Sequence, residues 1–159
     1  MLALFFLLAA AGTYTPTTRA TKSVIPNAST ACLAVTRTDV QFALGRTVGK
    51  GRPETSGTES TCDYTSDRGQ VTVTMQRLTA DLDLPTEIAA LRREIADSTV
   101  RQGPSIGDQA FYLDITGAGT QLHVIRGRDY LLISVLGFGE GAPVSAAAER
   151  MARAAIARM

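Results

Sequence analysis

The stretch from Gln109 to Leu136, QAFYLDITGAGTQLHVIRGRDYLLISVL, decides the fold. Three runs rich in β-branched, aliphatic and aromatic residues, Gln109 to Ile115, Gln121 to Arg126 and Tyr130 to Leu136, are separated by Thr116-Gly117-Ala118-Gly119 and Gly127-Arg128-Asp129. Glycine and aspartate in those short connections supply turn conformations, so the three runs are expected to form an antiparallel meander. The last run, Tyr130 to Leu136, is apolar at nearly every position and should be an inner strand covered on two sides.

Upstream, Thr61 to Tyr64 reads as a short strand, Ser66-Asp67-Arg68-Gly69 as a hairpin turn, and Val71 to Gln76 as a second strand. Its alternation sends Val71, Val73 and Met75 to the core and Thr72, Thr74 and Gln76 toward water. A helix is expected after Thr36, which can cap it with Asp39 at the third helical position. Val40, Phe42, Ala43 and Leu44 offer its apolar side, and Gly45 can close it in the left-handed conformation. Gly45 to Ser60, rich in Gly, Thr and Ser with Pro53, reads as a loop. A second helix opens at Leu84-Pro85, with Asp81 or Asp83 suited to that end and Ile88, Leu91 and Ile95 in one apolar stripe. A third begins with Ser145 as cap and runs almost to Met159, burying Ala148, Met151, Ala155 and Ile156. The expected class is α+β: a mainly antiparallel sheet of about five strands with three helices, in the order α-β-β-α-β-β-β-α. Aligning Gln70 to Val73 with Gln121 to Val124 hints at a diverged repeat and sets His123 on the same outward face as Thr72.

The N-terminus has a different character. Leu2 to Ala11 is an unbroken apolar run about half as long as a membrane-crossing helix requires, and Ala9 with Ala11, or Thr18 with Ala20, offers a peptidase site. Residues 1–20 are therefore expected to be a signal peptide or short N-terminal anchor, 21–30 a linker carrying Pro26, and 31–159 a single α+β domain. Export places the only two thiols, Cys32 and Cys62, in an oxidising compartment, where a mutual disulfide is the default. Closing a loop of that length stabilises a fold by roughly 3 to 4 kcal/mol on the loop-entropy model. A metal site would need more ligands than two Cys and the distant His123 supply, a catalytic thiol would need a nearby base, and lipidation of Cys32 would need a lipobox that Ser29-Thr30-Ala31 does not form.

With 16 basic and 15 acidic side chains spread along the chain, no field collects nucleic acid or an acidic membrane. Membrane contact is expected only through an uncleaved N-terminal segment. Gly103-Pro104-Ser105-Ile106-Gly107 matches the G-x-S-x-G nucleophile pattern, with His123 and Asp108 or Asp114 as conceivable partners. Its context is reversed, since a helix is expected before it and a strand after, and Pro104 has no amide hydrogen for an oxyanion hole. A serine hydrolase using Ser105 is the lesser reading. The basic run Gly45 to Gly51 falls short of a phosphate-binding loop, Asp81 with Asp83 lacks the further oxygens of a calcium loop, and Asn27-Ala28-Ser29 is a glycosylation sequon only in a host that modifies it. No cofactor or metal is called for. The candidate binding surface gathers Tyr112, His123, Arg126, Arg128 and Tyr130, aromatic and guanidinium groups suited to a small molecule or an envelope protein.

Short motifs, Ala31-Cys32-Leu33, Thr38-Asp39-Val40, Ala43-Leu44-Gly45, Cys62-Asp63-Tyr64 and Ile106-Gly107-Asp108-Gln109-Ala110-Phe111, with a closing Ala-rich helix, resemble the small exported actinobacterial lipoproteins classed as a domain of unknown function. More remotely, they resemble the extracellular sensor domains of mycobacterial serine/threonine kinases. The resemblance implies an α+β domain with a Cys32–Cys62 bridge and the segment from Gly107 as a structural loop entering a strand. It supplies no catalytic residues, and this chain lacks the lipobox cysteine of that family. The expected function is thus a non-catalytic exported domain, an envelope ligand-binding or sensing module, the alternative being a structural or protein-interaction domain of the envelope.

Overall fold

A computed structural model describes residues 30–159 of the chain. The expected export segment, its cleavage sites, most of the linker and the Asn27 sequon lie outside the described residues. The elements run α1 (Thr30–Ala34), α2 (Arg37–Leu44), β1 (Arg52–Ser56), β2 (Glu59–Thr65), β3 (Gln70–Arg77), α3 (Leu84–Glu94), β4 (Ser98–Gln102), β5 (Gln109–Ile115), β6 (Gly119–Arg126), β7 (Asp129–Leu136) and α4 (Ala142–Ile156). One antiparallel sheet holds the strands in the order β1-β2-β3-β7-β6-β5-β4. The class is α+β, but with seven strands and four helices instead of five and three.

Each added element has a physical reason for escaping a pattern search. Both extra strands are sheet edges: β1 is Arg-Pro-Glu-Thr-Ser and lies mostly in solvent, and β4 carries a single aliphatic residue, Val100. An edge strand has one neighbour and little to bury, so polar residues and a proline are tolerated, and they blunt pairing with other chains. The helix α1 is only five residues long and is held by contacts remote in sequence. Ala31 N–H donates to Ser60 Oγ, the Tyr64 hydroxyl donates to the Val35 carbonyl at 2.5 Å, and Cys32 is bonded to Cys62 of β2. Burial pushes the Tyr64 hydroxyl up to about 12, so it remains a donor throughout the physiological range.

The β3–β7–β6 register aligns Val71, Val135 and Thr120 on one face of the sheet, followed by Val73, Ile133 and Leu122, then Met75, Leu131 and Val124. Helices α1 and α4 cover this face, α2 packs on α4 and adds Val40 and Ala43 to the same core, and α4 presents Ala148, Met151, Ala152 and Ala155 to the sheet. Alanines let the helix approach closely, and Met151 fills the remaining volume. Ser145 does not cap α4. The helix starts three residues earlier, behind Gly141 and with Pro143 in its first turn, and the Ser145 hydroxyl is buried and accepts from Arg101. Proline is favoured there because its fixed φ suits a helix start and its missing N–H is not needed.

α2 carries the anticipated capping box between Thr36 and Asp39 and ends on Gly45 at φ +65°. Arg158, near the chain's end, donates to both Ala34 O and Asp39 Oδ2, and this bond is the largest influence holding Asp39 down to about 2. The Gly107 segment enters β5 as a loop: Asp108 N–H donates to Ile125 O, and its carboxylate accepts from Gly127 N–H. Gly107 sits at φ +66°, and a Cβ there would stand 2.5 Å from the Ile125 carbonyl oxygen, so only glycine fits.

The opposite face is divided. At the β5–β6 end Phe111, Leu113, His123 and Ile125 are buried, and on this side Glu87 of α3 bears on Tyr130; Ile88 and Leu91 of α3, with Ile95 just beyond it, are half-buried. At the β2–β3 end the same face shows Thr61, Asp63, Thr72, Thr74 and Gln76, half-buried and polar.

Candidate ligand-binding cleft

The surface expected from Tyr112, His123, Arg126, Arg128 and Tyr130 does not form, because the sheet separates its members. Tyr112 points to the face covered by α4, where the Arg101 guanidinium lies 4.2 Å over its ring. His123 and Tyr130 point to the other face and meet there: His123 Nδ1 and the Tyr130 hydroxyl share a hydrogen bond of 2.5 Å. Arg126 donates to the Ile156 carbonyl at the end of α4, and Arg128 sits in the β6–β7 turn, 4.0 Å from Asp81. Residues adjacent in a strand alternate between faces, so proximity in sequence did not become a shared surface.

His123 is on the face assigned to it, alongside Thr72, but it is not at the protein's surface. It is 1% exposed, stacked on Phe111 with ring centroids 4.3 Å apart, and Nε2 has no hydrogen-bond partner. Burial without an anionic partner lowers its pKa to about 4, so the ring is neutral at neutral pH. Burial likewise raises Tyr130 well above the ordinary phenol range. Ser105, by contrast, stands exposed in the loop joining β4 to β5, a strand-to-strand connection and not the strand-to-helix turn of a nucleophile elbow.

Arg101 belongs to a polar network between β4, β5 and α4. It pairs twice with Asp114 and donates to Ser145 Oγ at 2.7 Å, while Thr120 donates to Asp114 at 2.8 Å. The Arg101 bond is the main reason Asp114 titrates below the usual carboxylate range, and burial is the main reason Tyr112 titrates above the phenol range. The carboxylate is committed to arginine and hydroxyl partners, which suits anchoring the edge strand to α4 better than recognising a ligand.

A different place in the fold is open. Between the end of α2, the loop after β7 and the first turns of α4 lies a cleft of about 410 Å³ lined by Phe42, Arg46, Phe138, Ala146, Ala147 and Arg150, among others. Its shape follows from local sequence. Val40 and Ala43, three apart on α2, share the buried side of that helix, and Phe42 is consequently turned away from the core and left 80% exposed. Gly45 then reverses the chain and places the Arg46 guanidinium 5.6 Å from the centre of the Phe138 ring. Arg150 crosses from α4 to donate to Ala43 O at 2.6 Å, tying α4 to the end of α2. The alanines of the floor occupy little volume, so the two helices leave space between them. Both charged lining residues are arginines, and the lining has no carboxylate.

None of Phe42, Arg46, Phe138 and Arg150 is singled out by motif. Phe42, expected on the apolar side of α2 with Val40, is instead 80% exposed, because residues two apart on a helix do not share a face; that spacing is the one signal that could have found it. Among the described residues no three His, Cys, Asp or Glu side chains gather to hold a metal ion, and no helix is long and apolar enough to cross a membrane. Comparison with known proteins finds no matching family model, curated protein or solved structure.

Proposed function

We propose that this chain is an exported, non-catalytic binding module of the cell envelope whose ligand enters the α2–α4 cleft. The observation that carries the reading is Phe42, a large aromatic side chain 80% exposed beside a cleft whose lining combines hydrocarbon side chains with two arginines. Its volume of about 410 Å³ is within the range of small-molecule sites, about 300 to 1,000 Å³. The Cys32–Cys62 disulfide is compatible with residence outside the reducing cytosol, as the apolar N-terminal run suggests. The separation of exposed Ser105 from the buried, Tyr130-bonded His123 favours binding over hydrolysis.

Thermal unfolding of the full chain against a panel of fatty acids, cell-wall muropeptides and short peptides tests the reading. A probe that binds the native state at 100 times its Kd stabilises it by about 2.7 kcal/mol. Phe42→Ser is expected to change intrinsic stability by no more than about 0.5 kcal/mol, since Phe42 is exposed, and to abolish that ligand-induced gain. A flat response across the panel, or a gain unaffected by Phe42→Ser, would overturn the assignment.

A further inference from the structure

From the chemistry of the cleft lining we infer the ligand class: a single-chain amphiphile with one anionic headgroup, its hydrocarbon tail against the alanine, proline and phenylalanine floor and its headgroup between Arg46 and Arg150. This rests on the cleft being the ligand site. Two features of the lining select the class. The first is charge, since Arg46 and Arg150 both line the cleft and no carboxylate stands among the lining residues to neutralise them. Arginine matches a carboxylate, phosphate or sulfate through paired N–H donors, and such bonds are stronger than neutral ones.

The second is the poverty of side-chain hydrogen-bonding groups. Beyond the two arginines, the side chains of the lining are Phe42, Ala43, Leu44, Phe138, Pro143 and other purely hydrocarbon groups. A peptide would bring an amide N–H and a carbonyl at nearly every residue, and a sugar would bring several hydroxyls. Each such group costs free energy when buried without a partner. An amphiphile concentrates its polarity at one end and asks nothing of the floor except apolar contact. Arg46 is suited to the rim: its guanidinium already rests against the Phe138 ring, which orients the charge while leaving its edge for an anion.

The test follows the resonances of ¹³C-labelled phenylalanine in the full chain during titration with decanoate, 1-decanol and acetate, each below its aggregation threshold, and with a short acidic peptide. The five phenylalanines include Phe42 and Phe138, one on each side of the cleft. Decanoate is expected to shift those two signals and to bind at least about tenfold more tightly than decanol, with acetate producing no saturable shift. Arg46→Gln should remove most of that preference, and Arg46→Gln with Arg150→Gln the rest, while decanol binding persists as a check that the cleft is intact. Equal affinity for decanoate and decanol in the unaltered protein would overturn the headgroup assignment, and acetate binding as well as decanoate would overturn the tail. If the peptide moves Phe42 and Phe138 and decanoate does not, the cleft stands as a site and the amphiphile falls. If no probe moves them, both fall.

Discussion

The two faces of the sheet are built by different rules. The face under α1, α2 and α4 is a continuous apolar core from Tyr64 through Val73, Ile133 and Leu122, closed by alanines and Met151 and crosslinked by Cys32–Cys62. The face under α3 mixes Phe111 and Leu113 with His123 and Tyr130, and α3 has no fully buried residue of its own. Identical backbone geometry thus supports a permanent layer on one side and a lighter cover on the other. Global stability should reside in the first, and local opening in the second, because opening free energy tracks how much apolar surface an element buries.

The largest effect expected from this contrast is removal of the disulfide. With Cys32 and Cys62 separated by 30 positions, Cys32→Ala with Cys62→Ala should cost about 3.5 kcal/mol in chemical denaturation. Hydrogen exchange in α1 and β2 should accelerate most, and an effect as large on α3 would break the contrast.

Acid should act on the other face. His123 is neutral in the fold, with a pKa near 4 against an ordinary 6.5, so the unfolded chain takes up its proton first as pH falls. The stability due to neutral His123 is complete above about 6.5 and declines as the pH drops toward 4. The whole difference amounts to about 3 kcal/mol. Tyr130, the hydroxyl bonded to the ring, stays protonated throughout this window, and Glu87 bears on Tyr130 from α3. Denaturation at pH 7 and pH 4 should therefore show a drop that largely vanishes in His123→Leu, with exchange in α3 the first to rise. An unchanged drop in that variant would assign the acid sensitivity elsewhere.

The smallest effect sharpens the comparison most directly. Leu91→Ala on α3, at a half-buried position, should cost about 1 kcal/mol, against at least about 2 kcal/mol for Met151→Ala at a fully buried position of α4. Equal losses would mean that α3 belongs to the same cooperative core as α4.

Where an element's own residues specify it, the sequence was sufficient. The Thr36–Asp39 cap, Gly45, the turn from Ser66 to Gly69, and the alternation of Val71, Val73 and Met75 all depend on neighbours within a few positions. Strands β5, β6 and β7 were legible within two residues for the same reason, because central strands must bury alternating or continuous apolar sets. The edge strands were not, since β1 and β4 are held by partners and bury almost nothing.

The candidate cleft was less legible still. Phe42 belongs to a helix whose start and end were apparent, yet Arg150 and Phe138 reach it from about a hundred positions away, across a crossing of α2 and α4 that no local signal encodes. His123 makes the same point: its face followed from a two-residue period, while its burial depended on Phe111 and Tyr130 of the neighbouring strands packing against it. Local dihedral preference and hydrophobic period were set by the chain alone, because they involve residues that are neighbours in any conformation. Which side chains share a cavity, and which face gains a cover, was decided only when elements distant in sequence packed and excluded water between them.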